Sequence, residues 1–216
     1  MLSESVLSLL VSPDMMSPMK KLLAIVVLGF LWFNAVVADI SEFKIEGMSI
    51  KESLLNFMTE KDIDQSKKTF YPQGKKFIMI QSNKISNFEY DKVFLTFKRD
   101  DKNYIIHEIK AVLDVVNLTD CLLQRNELIK EIKELLKEQF LKREVERSSY
   151  EFRLTEDKTK KSLVNSVNFE LKDGIIKAYC EFIGLEYKIQ TGLPSYLSII
   201  ISTKEFDNWI LPRWEN

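Results

Sequence analysis

The chain has 216 residues, with 31 basic against 32 acidic side chains and a formal net charge of −1. That balance excludes a net electrostatic hold on nucleic acid or on an acidic membrane. Lysine far outnumbers arginine, which argues against phosphate clamps built on the guanidinium fork, and a single histidine excludes an HExxH metal motif.

The first elements concern export. Lys20 and Lys21 precede the apolar run LLAIVVLGFLWF, and the chain turns polar after VVA at Ala38. A basic start, a short hydrophobic centre and small residues before the break form the layout of a secretory signal peptide, with the cut expected after Ala38. The competing readings are an uncleaved membrane anchor and a buried core helix. The run Leu22–Phe33 is shorter than the roughly 20 residues a bilayer core asks for. No cysteine stands directly after it to carry a lipid. Residues 1–18 precede a natural initiator, Met19, and read as a mis-assigned leader or as an extended n-region of the signal peptide. Residues 39–216 are then expected to form a single domain in the periplasm or secreted from the cell.

Within it, Ser49 and Glu52 suit a capping box before Leu54, Leu55 and Met58, so a helix is expected over 50–58. Residues 59–75 read as loop, or as a helix fragment followed by loop. KFIMIQ (76–81) and VFLTFK (93–98) read as strands, and NYIIHEIKAVLDVV (103–116) as the return strand of an antiparallel hairpin. Thr119 or Asp120 is expected to cap the longest helix, about 120–142. Its apolar stripe is Leu122, Ile129, Ile132 and Leu136, flanked by Leu128 and Leu135. SYEFRL (149–154) reads as a strand.

In SVNFELKDGIIKAYCEF (166–182), Asp173-Gly174 between alternating runs predicts a hairpin closed by a type I′ turn. Its return strand puts Ile176, Ala178, Cys180 and Phe182 on one face and Lys177, Tyr179 and Glu181 on the other. Residues 183–194 are open between loop and strand. YLSIIIS (196–202) reads as a strand, and Ser202 with Glu205 as a second capping box before a short helix that runs through Trp209 and stops at Pro212. The sum is an α+β domain. An antiparallel sheet of two hairpins and extra strands packs on one long and two short helices. The two hairpins are alike enough to raise a degenerate repeat, although hairpins of one sheet also resemble each other by chance.

Chemistry-bearing residues are sparse. His107 lies in a predicted strand with no G-x-S-x-G elbow to serve, and reads as an ordinary strand residue before a catalytic base. Cys121 in the first turn of a helix is a candidate thiolate nucleophile, but in an oxidising compartment the one available partner, Cys180, offers a disulfide. Two separate buried thiols are the other reading. Asp100-Asp101 and Glu156-Asp157 fall in predicted turns, where solvated turn chemistry explains them as well as acid–base work does. Asp120 and Asp173 have turn or cap explanations. Asn117-Leu118-Thr119 fits a glycosylation sequon, relevant only in a eukaryotic host. No metal set and no cofactor motif is present, so no cofactor is expected. Tyr179, Tyr187, Tyr196 and Trp209 form a candidate binding surface, since such residues dominate contact hot spots; the alternative is that each is part of the core.

Several segments in order carry a resemblance: DISEFKIEGMSIKESLLNF after the signal peptide, YDKVFLTFKRDDKNYIIHEIK, the stretch around Cys121 leading into ELIKEIKELL, SVNFELKDGIIKAYCEF and ISTKEFDNWI. Together they cover most of the chain beyond residue 38, which resembles a family of small exported proteins from marine alphaproteobacteria of the SAR11 type. The 18-residue leader departs from that pattern. The resemblance implies export, the α+β architecture and a Cys121–Cys180 bridge. It implies no activity. The expectation for function is therefore a non-enzymatic binding module with a protein or small-molecule partner. The alternatives are a cell-envelope hydrolase with paired carboxylates, or an interaction protein docking through its long helix.

Overall fold

Alternating strands with one apolar face need a cover, and here the chain supplies it from both ends of the first half. The structure, a computed structural model, describes residues 40–71, 74–82, 90–139 and 146–210. The expected leader, signal peptide and cleavage site lie outside the described residues, as do the far end of the long helix and the stop at Pro212.

Eight strands form one antiparallel sheet: β1 (Lys68–Phe70), β2 (Phe77–Ser82), β3 (Lys92–Lys98), β4 (Ile106–Asp114), β5 (Glu146–Arg153), β6 (Leu163–Glu170), β7 (Gly174–Phe182) and β8 (Tyr196–Thr203). Their order is β1-β2-β3-β4-β8-β7-β6-β5, so two four-strand meanders meet along their last strands. The helices are α1 (Glu60–Gln65), the long α2 (Leu118–Gln139), α3 (Leu185–Thr191) and α4 (Lys204–Ile210). The fold is α+β as expected; α1 falls in the stretch read as loop or helix fragment, and α3 is a helix where the sequence left loop and strand open. In this topology β3–β4 corresponds to β7–β8. The resemblance between the two predicted hairpins instead matched β3–β4 with β6–β7, so it does not follow the architecture.

The inner face carries Val93, Leu95, Ile109, Ala111, Ile176, Ala178, Ile199 and Ile201, all buried. The cover is α2, through Leu128, Ile129, Ile132 and Leu136, together with Ile40, Phe43, Ile45, Met48, Ile50 and Leu54 of the first segment. Each such side chain contributes about 1.5–3 kcal/mol on leaving water. The stripe read from the sequence is thus α2's packing face.

The start of α2 is capped by Asn117, whose Oδ1 accepts from Asp120 N at 2.9 Å, rather than by Thr119 or Asp120. A second small cluster, Val115, Cys121, Cys180 and Leu197, joins this end of α2 to the sheet. There Cys121 and Cys180 form a disulfide.

Three further local expectations fail for tertiary reasons. The helix over 50–58 is reduced to a single 3-10 turn at Leu54–Asn56. Ser49 N does reach Glu52 Oε2 at 3.4 Å. The backbone beyond is recruited by the approach to β4, with Lys51 N donating to Ile106 O, Leu54 N to Tyr104 O and Ile106 N to Glu52 O at 2.8–3.0 Å, and Lys51 sits at φ 71°. The cap of α4 is Thr203, whose Oγ1 accepts from Phe206 N at 3.2 Å. Ser202 remains in the sheet opposite Glu108 and Ile175.

The Asp173-Gly174 turn is not type I′, because neither residue has positive φ and Gly174 already belongs to β7. Gly174 is small for another reason: a Cβ there would lie 2.3 Å from Ser202 O and 2.5 Å from Ile40 Cδ1. Gly174→Ala is expected to cost about 2 kcal/mol by overpacking, measured as a shift in the denaturant midpoint. Gly174→Asn distinguishes the two explanations. A left-handed turn position tolerates Asn, whereas this close approach makes Asn at least as costly as Ala.

Candidate functional site

On the outer face the same period-2 alternation puts polar groups in the centre of the sheet. Cross-strand register arranges them in rows. One row runs Thr96, Glu108, Ser202, Ile175 and Glu170 across β3, β4, β8, β7 and β6; the next runs Phe94, Lys110, Ile200, Lys177 and Asn168. A third adds Val112, Ser198, Tyr179 and Ser166. Charges on interior strands are costly unless paired, and the pairing decides what this face can do.

Two of the groups anchor helix α4. Lys177 Nζ donates to Asp207 Oδ1, with Asp207 buried. Phe206 and Trp209 pack on Phe77, at ring separations of 5.1 and 5.0 Å, and on Tyr71, at 5.3 and 5.7 Å. Tyr71 Oη lies 2.8 Å from Thr96 Oγ1 and donates to Glu108 Oε1 at 3.3 Å, and Thr96 Oγ1 donates to the same oxygen at 3.3 Å. Burial raises the Glu108 carboxyl above the usual range, against the opposing pull of Lys110 and Lys177. Burial, then Glu108, raises the Tyr71 phenol as well.

The neighbouring cluster is aromatic. Tyr179 and Tyr196 stack with centroids 6.1 Å apart, and both hydroxyls donate to Glu181 Oε2, at 3.1 and 2.6 Å. Lys110 Nζ lies over the Tyr196 ring at 4.5 Å and the Tyr179 ring at 5.9 Å, and donates to Tyr196 Oη at 3.3 Å. Burial lowers its ammonium below the ordinary lysine value, with Glu108 and Glu181 pulling the other way. Burial raises both tyrosine hydroxyls, and Glu181 adds to it.

Beneath this layer Ser198 and Ser202 are each 1 % exposed, and neither hydroxyl finds a hydrogen-bond partner among the described residues. A buried hydroxyl left unpaired costs about 1–3 kcal/mol.

Of the four aromatic residues singled out by sequence, Tyr179 and Tyr196 come together in one stacked pair. Trp209 belongs to the separate Tyr71–Phe77–Phe206 cluster. Tyr187 lies on α3 and shares no ring contact with either group among the described residues. Glu108, Lys110, Lys177, Tyr71, Ser198 and Ser202 were missed as site residues. Apart from Tyr71, which follows the edge strand β1, their signal was a run of charges and hydroxyls on one face of what prove to be interior strands.

The other candidates resolve locally. Cys121 is in the disulfide, so it offers no thiolate. His107 packs on Phe77 with ring centroids 5.1 Å apart, its Nδ1 3.1 Å from Thr203 Oγ1, and burial lowers its pKa. Asp101 accepts from Asn103 N and Ile105 N at 2.9 and 3.0 Å, as a turn residue does. Asp157 accepts from Thr159 and Ser162, backbone and hydroxyl alike, at 2.7–2.9 Å. Those bonds hold its carboxyl well below the usual range despite its burial. Among the described residues no group of three or more His, Cys, Asp or Glu side chains is placed to hold a metal ion.

Comparison of the chain with protein-family models, with curated proteins and with solved structures found no match.

Proposed function

We propose that this protein is an exported, non-enzymatic binding module of the periplasm or the cell exterior, and that its binding surface is the outer face of the sheet around Tyr179, Tyr196 and Lys110. One observation carries the reading. The polar groups of this face keep hydrogen-bonding capacity that a purely structural network would consume, above all at Ser198 and Ser202. The disulfide is compatible with a location outside the cytoplasm. Among the described residues no helix is long and apolar enough to cross a membrane.

Native mass spectrometry on protein recovered from a periplasmic fraction tests this. The folded protein is expected to carry a small molecule that is lost on denaturation. Tyr179→Ala and Tyr196→Ala are each expected to lower its affinity about thirtyfold, the size of a contact hot spot, and Tyr187→Ala to leave it unchanged. Bound molecule retained by both tyrosine variants would move the site elsewhere. Intact mass of the same sample tests cleavage after Ala38.

A hydrolase is favoured by one feature, the raised carboxyl of Glu108, which suits a general acid. Its second carboxylate would be Glu181, whose Oε2 is engaged by two tyrosine hydroxyls. That reading requires Glu108→Gln to abolish turnover of a cell-envelope polymer. Docking through α2 draws no support from its apolar stripe, since Leu128, Ile129, Ile132 and Leu136 are buried against the sheet.

A further inference from the structure

The sheet ends differently on its two sides. The edge strand β1 has 3 residues, too short to template a neighbour. The opposite edge, β5, has 8 residues and pairs with β6 in unbroken register from Glu146↔Glu170 to Arg153↔Leu163. Among the described residues no strand lies on its other side. β5 carries no proline, lysine or bulge, the usual devices that blunt an edge. It carries instead charge of both signs, at Glu146, Arg147, Glu151 and Arg153.

The placement of these charges selects a partner. Register with β6 sets Arg147, Ser149, Glu151 and Arg153 across from Phe169, Val167, Asn165 and Leu163, on one face of the sheet. A second copy that extends the sheet antiparallel about a two-fold axis must bring one β5 residue against its own copy, because only then do like faces meet. The registers that pair more than half of the strand are centred on Ser148, Ser149, Tyr150 or Glu151. Centred on Tyr150, Arg147 stands across from Arg153 on both sides of the axis. Centred on Glu151, a carboxylate stands across from itself. Centred on Ser148, Arg147 faces only Ser149. Centred on Ser149, each copy sets its Arg147 across from Glu151 of the other, with residues 146–152 paired. Opposite charges directly across a ladder stabilise it and like charges destabilise it. An edge of lysines repels every copy, whereas this one admits a single register.

Glu151 is already held for that role. It is exposed, and Asn165 Nδ2 donates to its Oε2 at 2.6 Å. Asn165 Oδ1 in turn accepts from Arg125 of α2, so the carboxylate is oriented from within the domain.

We propose that β5 is a homodimerisation edge. Two copies join their sheets through antiparallel β5 strands centred on Ser149, with an Arg147–Glu151 pair on each side of the axis. The axis is perpendicular to the sheet, so the Tyr179–Tyr196 faces of both copies point to the same side. The seam is one strand wide and therefore small, and its dissociation constant is expected at about 10–100 μM.

Sedimentation equilibrium of protein from the periplasmic fraction, over about 1–300 μM, brackets that range and is expected to show monomer passing to dimer. Arg147→Glu and Glu151→Arg are each expected to weaken dimerisation at least about 10-fold, and Arg147→Glu/Glu151→Arg to restore it to within about 3-fold. Such rescue is a readout that damage to the fold does not give.

Ser149→Cys reads the register independently. Both native cysteines are in the bridge, so under mild oxidation the new thiol meets only its own copy. Residues directly opposite in antiparallel strands have Cα atoms about 4.5–5.5 Å apart, within disulfide reach. In the proposed register Ser148→Cys and Tyr150→Cys each stand beyond about 7 Å from their own copies and cannot bridge. A covalent dimer from Ser149→Cys alone is expected. Protein that stays monomeric throughout overturns the proposal, as does a dimer indifferent to both charge reversals or one cross-linked best at Ser148→Cys or Tyr150→Cys. Monomer whose β5 pairs only with a strand of a different protein overturns it too.

Discussion

Reducing the Cys121–Cys180 bridge lowers the thermal midpoint by about 8–16 °C. That estimate follows from a loop-closure contribution of about 4 kcal/mol and a sensitivity of about 2–4 °C per kcal/mol for a domain of this size. The bridge closes a sequence separation of 59 residues. That loop contains most of α2, all of β5 and β6 and most of β7, so without the bridge the unfolded chain regains the freedom of most of three strands. The folded state loses little in exchange. Cys121 and Cys180 are fully buried with Val115 and Leu197, and two reduced thiols pack there as small hydrophobes.

The measurement is a pair of thermal melts with and without a non-thiol reductant. The double variant Cys121→Ala/Cys180→Ala is expected to melt at or somewhat below the reduced protein, because it also removes buried sulfur. A shift under 3 °C on reduction would mean that the staple carries little of the stability. It would also weaken the argument that this chain relies on an oxidising compartment.

What could be read in the sequence follows the range of the interactions involved. The hairpins β3–β4 and β6–β7 were legible because alternation and turn spacing are local. The stripe on α2 was legible because helical period survives without knowledge of what it packs against. Strand order was not, since the pairing of β4 with β8 brings together Glu108 and Ser202, which are far apart in the sequence, and leaves no local trace. That pairing is also what creates the site. Tyr179 was on the right face by alternation alone, but only the β7–β8 register sets Tyr196 beside Glu181, within reach of the same carboxylate. Glu108 and Lys110 read as ordinary strand polars until β4 proved to be interior.

Gly174 shows the converse failure. Its identity matched a turn rule, yet the demand for glycine came from Ser202 O and Ile40, neither of them close in sequence. The lost helix at 50–58 is the same lesson in backbone terms, its amides and carbonyls claimed by residues 104–106.

Lys177→Met is expected to cost about 3–4 kcal/mol, whereas Asp207→Asn costs about 1–2 kcal/mol, although both remove the same ion pair. The asymmetry comes from what each change leaves behind. The Asp207 side chain is 2 % exposed and that of Lys177 is 20 % exposed. Without Lys177 a carboxylate is stranded in a site it cannot leave, because its helix is held by Phe206 and Trp209 against Phe77 and Tyr71. Without Asp207 the ammonium swings on a four-carbon stem toward water and keeps most of its solvation.

Denaturant unfolding of the two variants and of Lys177→Met/Asp207→Asn checks this as a double-mutant cycle. The double variant is expected to recover most of the loss of Lys177→Met, since a neutral amide tolerates the site far better than an unpaired charge. Equal single costs, or additive ones, would place the pair in the weak, solvent-screened class. The consequence reaches the site. The pair pins α4 to the outer face on the far side of Ile200 from Lys110. A stranded Asp207 therefore loosens the helix that packs over Tyr71, and with it the hydrogen bonds that hold Glu108. Weakened binding of the co-purified molecule in Lys177→Met, restored in the double variant, is the expected signature of that coupling.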